Sequence, residues 1–370
     1  GDRLGGSLRI TWEAFWGEPL TESQGRAMQG GPRWTVPGAV AALRGWASRE
    51  PFLRQASLAI CCEPLWLCVL LHAARGSTRT LVRASMCLLH AFGHVFGAEQ
   101  LPHFWPHARA MGADLASLGT GSAAARISAE MLEFQAGIRF PYVPALSLHV
   151  EEAATFRPST DQVLLFRSTL PSMPAIRRML QLLQAEDPSA ASIVEMPPGK
   201  PMSYQEIASF RAVVLLPHVP YALRLSDVIA LGSPAFVPAL PLLHRFMWPY
   251  AGPFCGRSDP ELTRSVDPDA PSRSSPPFSP FDFQSERGLP FDSYHDDRRY
   301  WAQYSEWELR PHLLRFHSLR DLLARATDLT EAQAQAVSAQ VRASHARAKE
   351  EVLSYWRAAV LTAAGSDGIV

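Results

Sequence analysis

Asp227 lies in the run Leu216-Pro217-His218-Val219-Pro220-Tyr221-Ala222-Leu223-Arg224-Leu225-Ser226-Asp227, after an apolar stretch of strand length and five positions before Gly232. A carboxylate one turn into a helix can accept hydrogen bonds from two ligand hydroxyls, while the helix dipole and its amino-terminal amides hold an anion. Arg224, three residues earlier, and Arg167, just after the apolar run Val163 to Phe166, would bring positive charge to that anion. His218 directly follows a strand end, where a neutral imidazole can hydrogen-bond a phosphate or a base edge. Each residue also has an ordinary reading. Asp227 serves equally as a solvated helix carboxylate or cap, Arg224 as its partner across one turn, Arg167 as a strand-end charge and His218 as a loop histidine.

Candidates for a general base lie in the amino-terminal half. Glu63 stands beside Pro64 at the end of the run Leu58 to Cys62, and His90 and His94 stand four apart around Phe92 and Gly93. Any of them could take a proton from a hydroxyl at strand carboxyl ends, although a glycine and an aromatic beside the histidines suit a structural turn. Glu130 and Glu133 read as a solvated helix face, and Tyr294-His295-Asp296-Asp297 as surface charge and not a metal site. Phe104-Trp105, Phe246-Met247-Trp248 and Trp301 to Trp307 could stack on sugar rings but read first as core. Gly119-x-Gly121 lacks the third glycine of a dinucleotide fingerprint, and the chain has neither a Gly-x-Ser-x-Gly elbow nor a P-loop.

Positioning such residues requires strands and helices in alternation, and Gln162 to Pro238 shows that pattern. Val163 to Phe166, Ile193 to Met196, Val213 to Leu216 and Ala235 to Val237 are strand-length apolar runs, continuous as in parallel sheets covered on both faces. Between them Ile176, Met179, Leu180 and Leu183 recur at helical spacing over Pro174 to Leu183. Ser203 and Glu206 form a capping box for a helix through Phe210, and Ala222 to Leu231 is a helix ended by Gly232. Upstream, Leu58 to Cys62, Leu65 to Ala73 and Thr80 to Cys87 repeat strand, helix, strand, and Ala123 to Phe134 predicts a helix before Pro141 to Leu148. Tyr300 to Trp307, Leu313 to Ala326 and Ser338 to Leu361 are predicted helical, the last amphipathic and long enough to pack across both halves.

Composition bounds the function. The chain has 370 residues, 47% of them hydrophobic, with 35 basic against 35 acidic side chains, which excludes a disordered polyelectrolyte and a basic nucleic-acid binder. Lys200 and Lys349 are the only lysines, so an isolated arginine carries little information. Of Cys61, Cys62, Cys68, Cys87 and Cys255, four lie in apolar runs as small buried hydrophobes, and the expectation is a fold that does not depend on disulfides. Leu58 to Ala74, broken by Glu63, Pro64 and His72, falls short of the ~20 apolar residues of a spanning helix.

The segment Arg224-Leu225-x-Asp227-x-Ile229-x-x-Gly232-x-Pro234 resembles the nucleotide-sugar domain of GT-B glycosyltransferases and, in its Arg and acid three apart, the exostosin-like branch. The resemblance covers Gln162 to Pro238 well and the remainder in outline. Departures are Val219, where the two-glutamate retaining pattern has an acid, Ala222 in place of a small hydroxyl residue, and Pro234 two and not three after the glycine. The resemblance implies an α/β fold of two Rossmann-like halves facing a cleft and a metal-independent transferase without a cofactor. Asp227 would hold ribose, with Arg167, His218, Tyr221 and Arg224 also on the donor, and Glu63 or His90 would be catalytic.

The corresponding organisation is an acceptor-side half over residues 1–155, a nucleotide-sugar half over 156–257, a Pro- and Ser-rich loop insertion over 258–297, and helices over 298–370 that complete the second half and pack back on the first. The expected partners are a nucleotide sugar and a glycan, lipid or protein acceptor, with no nucleic acid. Because the chain opens with Gly1, membrane association through an upstream segment is expected in the Golgi or endoplasmic reticulum if the resemblance holds; otherwise the cytoplasm is expected. The competing expectation is a non-catalytic binding or scaffold protein that keeps the fold.

Overall fold

The structure is a computed structural model and describes residues 34–49, 59–62, 64–75, 80–85, 87–89, 92–166, 173–197, 201–217, 223–246, 265–270 and 299–364. In chain order the first sheet and its helices are α1 (Val36–Arg49), β1 (Ala59–Cys61), α2 (Leu65–Arg75), β2 (Thr80–Ala84), α3 (Leu101–Leu118), β3 (Gly121–Ala123) and α4 (Arg126–Ala136). There follow α5 (Leu148–Ala153), β4 (Val163–Leu165), α6 (Met173–Glu186), β5 (Ile193–Glu195), α7 (Tyr204–Ala208), β6 (Ala212–Val214), α8 (Leu223–Leu231), β7 (Ala235–Pro238) and α9 (Leu240–Phe246). The chain closes with α10 (Glu306–Leu309), β8 (Leu314–Phe316), α11 (Leu319–Asp328) and α12 (Glu331–Ala364).

Two parallel sheets result, one in the order β1-β2-β3 and the other β5-β4-β6-β7-β8. The protein is therefore α/β and compatible with a Rossmann-like fold. Alternation along β2 assigns its two faces. Val82 and Ala84 join the core with α1, α2 and α3, whereas Leu81 packs against Ala359 and Ala363 of α12. Trp66, Phe92, Phe96 and Phe104 fill the first core, Trp66 edge to face on Phe92 and Phe96, Phe104 edge to face on Phe92 with centroids 5.0 Å apart, and Phe92 tilted on Phe96 at 4.7 Å. Such pairs add about 0.5–1.5 kcal/mol each beyond burial.

In the second sheet the strand order reverses between β4 and β6, because β5 lies to one side of β4 and the later strands to the other. That reversal is the topological switch point at which open parallel sheets bind ligands, outside the strand carboxyl ends. Strands β4 and β6 are so apolar that Val163, Ala212, Val213 and Val214 are fully buried. The capping box of α7 is present as its sequence implies: Glu206 N–H donates to Ser203 Oγ, and Ser203 N–H donates to Glu206 Oε2.

Several expectations are corrected. Cys61 and Cys68 are joined in a disulfide across seven residues with Cα atoms 5.7 Å apart, and Cys87 is also disulfide-bonded; the strand-to-helix turn after β1 brings together thiols that sequence alone reads as small hydrophobes. Met179 is exposed, because the buried stripe of α6 runs through Met173, Ile176 and Leu180. The Gly119-x-Gly121 element is a helix end and a strand start: Gly119 has φ +66°, and a Cβ on Gly121 would fall 2.2 Å from the Phe140 ring. Strand β8 occupies part of a predicted helix, since Leu314 to Phe316 pair with Phe236 to Pro238. Helix α3, with Pro102 in its first turn and Pro106 inside it, lay hidden behind its prolines.

Helix α12 runs past both sheets. Val341 belongs to the core on the β4–β6 side, and Ala359 and Ala363 cover Leu81 of β2. Gly232 ends α8 at φ +72° and lets α12 approach so closely that a Cβ there would meet Arg342 Cγ at 2.6 Å. Within the region read as a loop insertion, the described residues 265–270 dock on the first half. Asp267, fully buried, accepts from Arg109 at 2.6 Å, and its backbone N–H donates to Gln135 O.

Candidate functional site

Asp227 sits one turn inside α8, the helix that follows β6 at the switch point. Its neighbours Leu225, Ser226 and Val228 are buried, which fixes the helix and leaves the carboxylate side chain 14% exposed. Ser147 is the residue before α5, and its hydroxyl makes no capping bond to that helix. It donates instead to Asp227 Oδ1 at 2.7 Å. Ser226 Oγ donates to Ala145 O in the same connecting segment at 3.2 Å. The segment between the two sheets is thus held to α8 by two adjacent side chains.

Arg224 Nη1 stands 3.9 Å from Asp227 Oδ2, a loose ion pair across one helical turn. Arg224 is exposed, and its guanidinium lies 5.3 Å over the ring of Phe166 at the carboxyl end of β4. This stacking holds a cation between the ends of β4 and β6 while leaving its donors open. Tyr204, the first residue of α7, faces the same carboxylate. Burial first, and then the charge of Asp227 and a side-chain hydrogen bond to it, push its phenol above the usual range, against the opposing charge of Arg224. Its hydroxyl is 3.3 Å from Nε2 of the exposed His149.

Helix α5, which carries His149, is anchored from behind. Glu151 bonds His345 and Lys349 of α12 with its two oxygens. Burial raises the Glu151 carboxyl, but the bonds from Lys349 and His345 outweigh it and hold the group below the usual carboxylate range. One of the chain's two lysines is thereby spent on position and not on a ligand.

Of the residues singled out in the sequence, Asp227 and Arg224 come together at the switch point. Glu63, His90, Arg167, His218 and Tyr221 lie outside the described residues, as do Val219 and the Tyr294 to Asp297 cluster. Glu130 and Glu133 pair with Arg126 and Arg139. Phe104, Trp105, Trp301 and Trp307 are buried in the cores. Sequence reasoning missed Ser147 and Tyr204 as neighbours of Asp227, His149 beside Tyr204 and Phe166 beneath Arg224. A partial signal existed for Tyr204, which follows the recognised cap Ser203, and for Phe166, which ends a recognised strand.

Among the described residues no group of three or more His, Cys, Asp or Glu is placed to hold a metal ion, and no helix is long and apolar enough to cross a membrane. The fold and site define a class, an α/β protein with two parallel sheets and an Asp–Arg pair at the switch point of the larger. No family model matches the sequence, and no curated protein matches it.

Proposed function

We propose that the protein is a metal-independent glycosyltransferase of GT-B architecture that binds a nucleotide sugar at the β4–β6 switch point. The observation that carries this reading is the Asp227 carboxylate, anchored through Oδ1 by Ser147 and still 14% exposed beside Arg224 and Tyr204. Oδ2 would accept from ribose hydroxyls, and Arg224 would offset the charge that develops on the diphosphate as the glycosidic bond breaks. Arg167, His218 and Tyr221 complete the donor side in this reading, with Glu63 or His90 as the base acting on the acceptor glycan, lipid or protein. The Cys61–Cys68 disulfide supports an oxidising compartment such as the secretory pathway.

A second reading, a non-catalytic binding or scaffold protein, is favoured by the same Ser147 bond, which gives Asp227 a structural task in tying the connecting segment to α8. One experiment separates the two. Thermal shift of the purified protein with UDP, GDP, CMP and their sugar conjugates, each at about 100 times its dissociation constant, should add about 2.7 kcal/mol for the donor. Stabilisation by one nucleotide family, lost in Asp227→Ala, is the outcome expected of the transferase. No stabilisation by any of them would leave the scaffold.

A further inference from the structure

At the carboxyl end of β2, the central strand of the first sheet, Arg83 points to the face covered by α12, where its guanidinium lies 5.4 Å over the ring of Trp356. Nη2 donates to Val143 O at 3.2 Å, while Nη1 is buried and has no hydrogen-bond partner. Tyr355, whose hydroxyl donates to Gly121 O at 2.8 Å, together with Cys62, Tyr142 and Glu306, lies within electrostatic range of the guanidinium. Among the described residues the one carboxylate in that range is Glu306, and it already belongs to another cation. Arg310 Nε donates to its Oε2 at 2.8 Å, and the Tyr142 hydroxyl donates to the same oxygen at 2.9 Å. Glu306 is 6% exposed, and its second oxygen, Oε1, is buried without a partner.

Arg83 thus makes no ion pair among the described residues, and burial outweighs the groups that favour its charge, while its Nη1 and Glu306 Oε1 are buried without hydrogen-bond partners. Removing a charge from water without a partner is strongly unfavourable. The unmatched atoms specify what would satisfy them: Nη1 of Arg83 needs an anionic acceptor, and Oε1 of Glu306 needs a donor such as a hydroxyl. Strand carboxyl ends of a parallel sheet are also where ligands enter.

We propose that the β2 end is an anion site for a hydroxyl-bearing anionic sugar, whose charged group pairs with Arg83 and whose hydroxyl donates to Glu306 Oε1. As a statement about the acceptor of a glycosyl transfer this rests on the transferase reading; as a statement about anion binding it does not. The charged group is a carboxylate or a phosphate.

Isothermal titration of the full chain with glucuronate, glucose 6-phosphate, inorganic phosphate and glucose tests it. At least one anionic sugar should bind about tenfold or more tightly than glucose and than inorganic phosphate, and Arg83→Gln should remove about tenfold or more of that affinity, as expected for a charge-assisted bond. Preference for glucuronate assigns a carboxylate, and preference for glucose 6-phosphate assigns a phosphate. Arg83→Lys keeps the charge but not the planar fork, so it should fold even if Arg83→Gln were to misfold, and should still bind more weakly than wild type. Glucose binding as well as both anions, inorganic phosphate matching the sugars, or variants binding like wild type would each overturn the site. Asp227→Ala separates the two proposals: it should leave anionic-sugar binding unchanged while abolishing any nucleotide-sugar shift.

Discussion

The hydroxyl of Ser147 donates to Asp227 Oδ1 at 2.7 Å across 80 residues of sequence, joining the segment that leaves the first sheet to the helix that follows β6 in the second. A hydrogen bond to a largely buried carboxylate oxygen is of the stronger kind. Ser147→Ala should therefore lower stability by about 1–3 kcal/mol in urea unfolding. An unchanged midpoint would show that the bond is too solvated to matter and would remove the structural task assigned to Asp227.

Gly232→Ala meets two obstacles together. The backbone is left-handed at φ +72°, and the added methyl would fall 2.6 Å from Arg342 Cγ. The expected loss is about 1–3 kcal/mol, read as a lower thermal midpoint with circular dichroism. A variant as stable as wild type would mean that α12 shifts away at no cost.

Cys61 and Cys68 close a short loop at the end of β1. Constraint of the unfolded chain by a loop of this size contributes about 2–3 kcal/mol. The double substitution Cys61→Ala with Cys68→Ala should lose that much in urea, with the bond between Cys87 and its partner left intact. Equal stability of the two forms would place the effect of the disulfide elsewhere.

Glu151 makes stability depend on acid pH. Its carboxyl is held below the usual range when folded, so its contribution is fully present above the unfolded value of about 4.3 and is lost as pH falls through the folded value. Urea unfolding at pH 7, 5 and 3 should show wild type losing stability at the acid end. Glu151→Gln should be less stable at pH 7 and lose less on acidification. Parallel curves for the two proteins would show that the Glu151, His345 and Lys349 cluster contributes nothing to folding.

Much of the second sheet was legible along the chain. Its strands are continuous apolar runs, its helix ends carry Ser203, Glu206 and Gly232, and these signals act over a few residues. The first sheet was harder to read. Strand β3 is Gly-Ser-Ala, with no side chain large enough to mark it, and α3 contains two prolines that local rules count against a helix. Strand β8 reads as helix until Leu314 to Phe316 find the edge of β7.

What the sequence determined by itself is the α/β class, the strand rhythm of Gln162 to Pro238, and an aspartate three residues after an arginine at the head of a helix. The tertiary structure decided that this pair lies where the strand order reverses, that Ser147 anchors one oxygen of Asp227 while Tyr204 faces the same carboxylate, and that Cys61 meets Cys68. It also left Arg83 and Glu306, 223 positions apart in the chain, with an unpaired atom each. The division has a physical reason: periodicity, capping and turn chemistry are set by neighbours in sequence, whereas charge pairing, hydroxyl partners and desolvation are set by which segments the hydrophobic cores bring together.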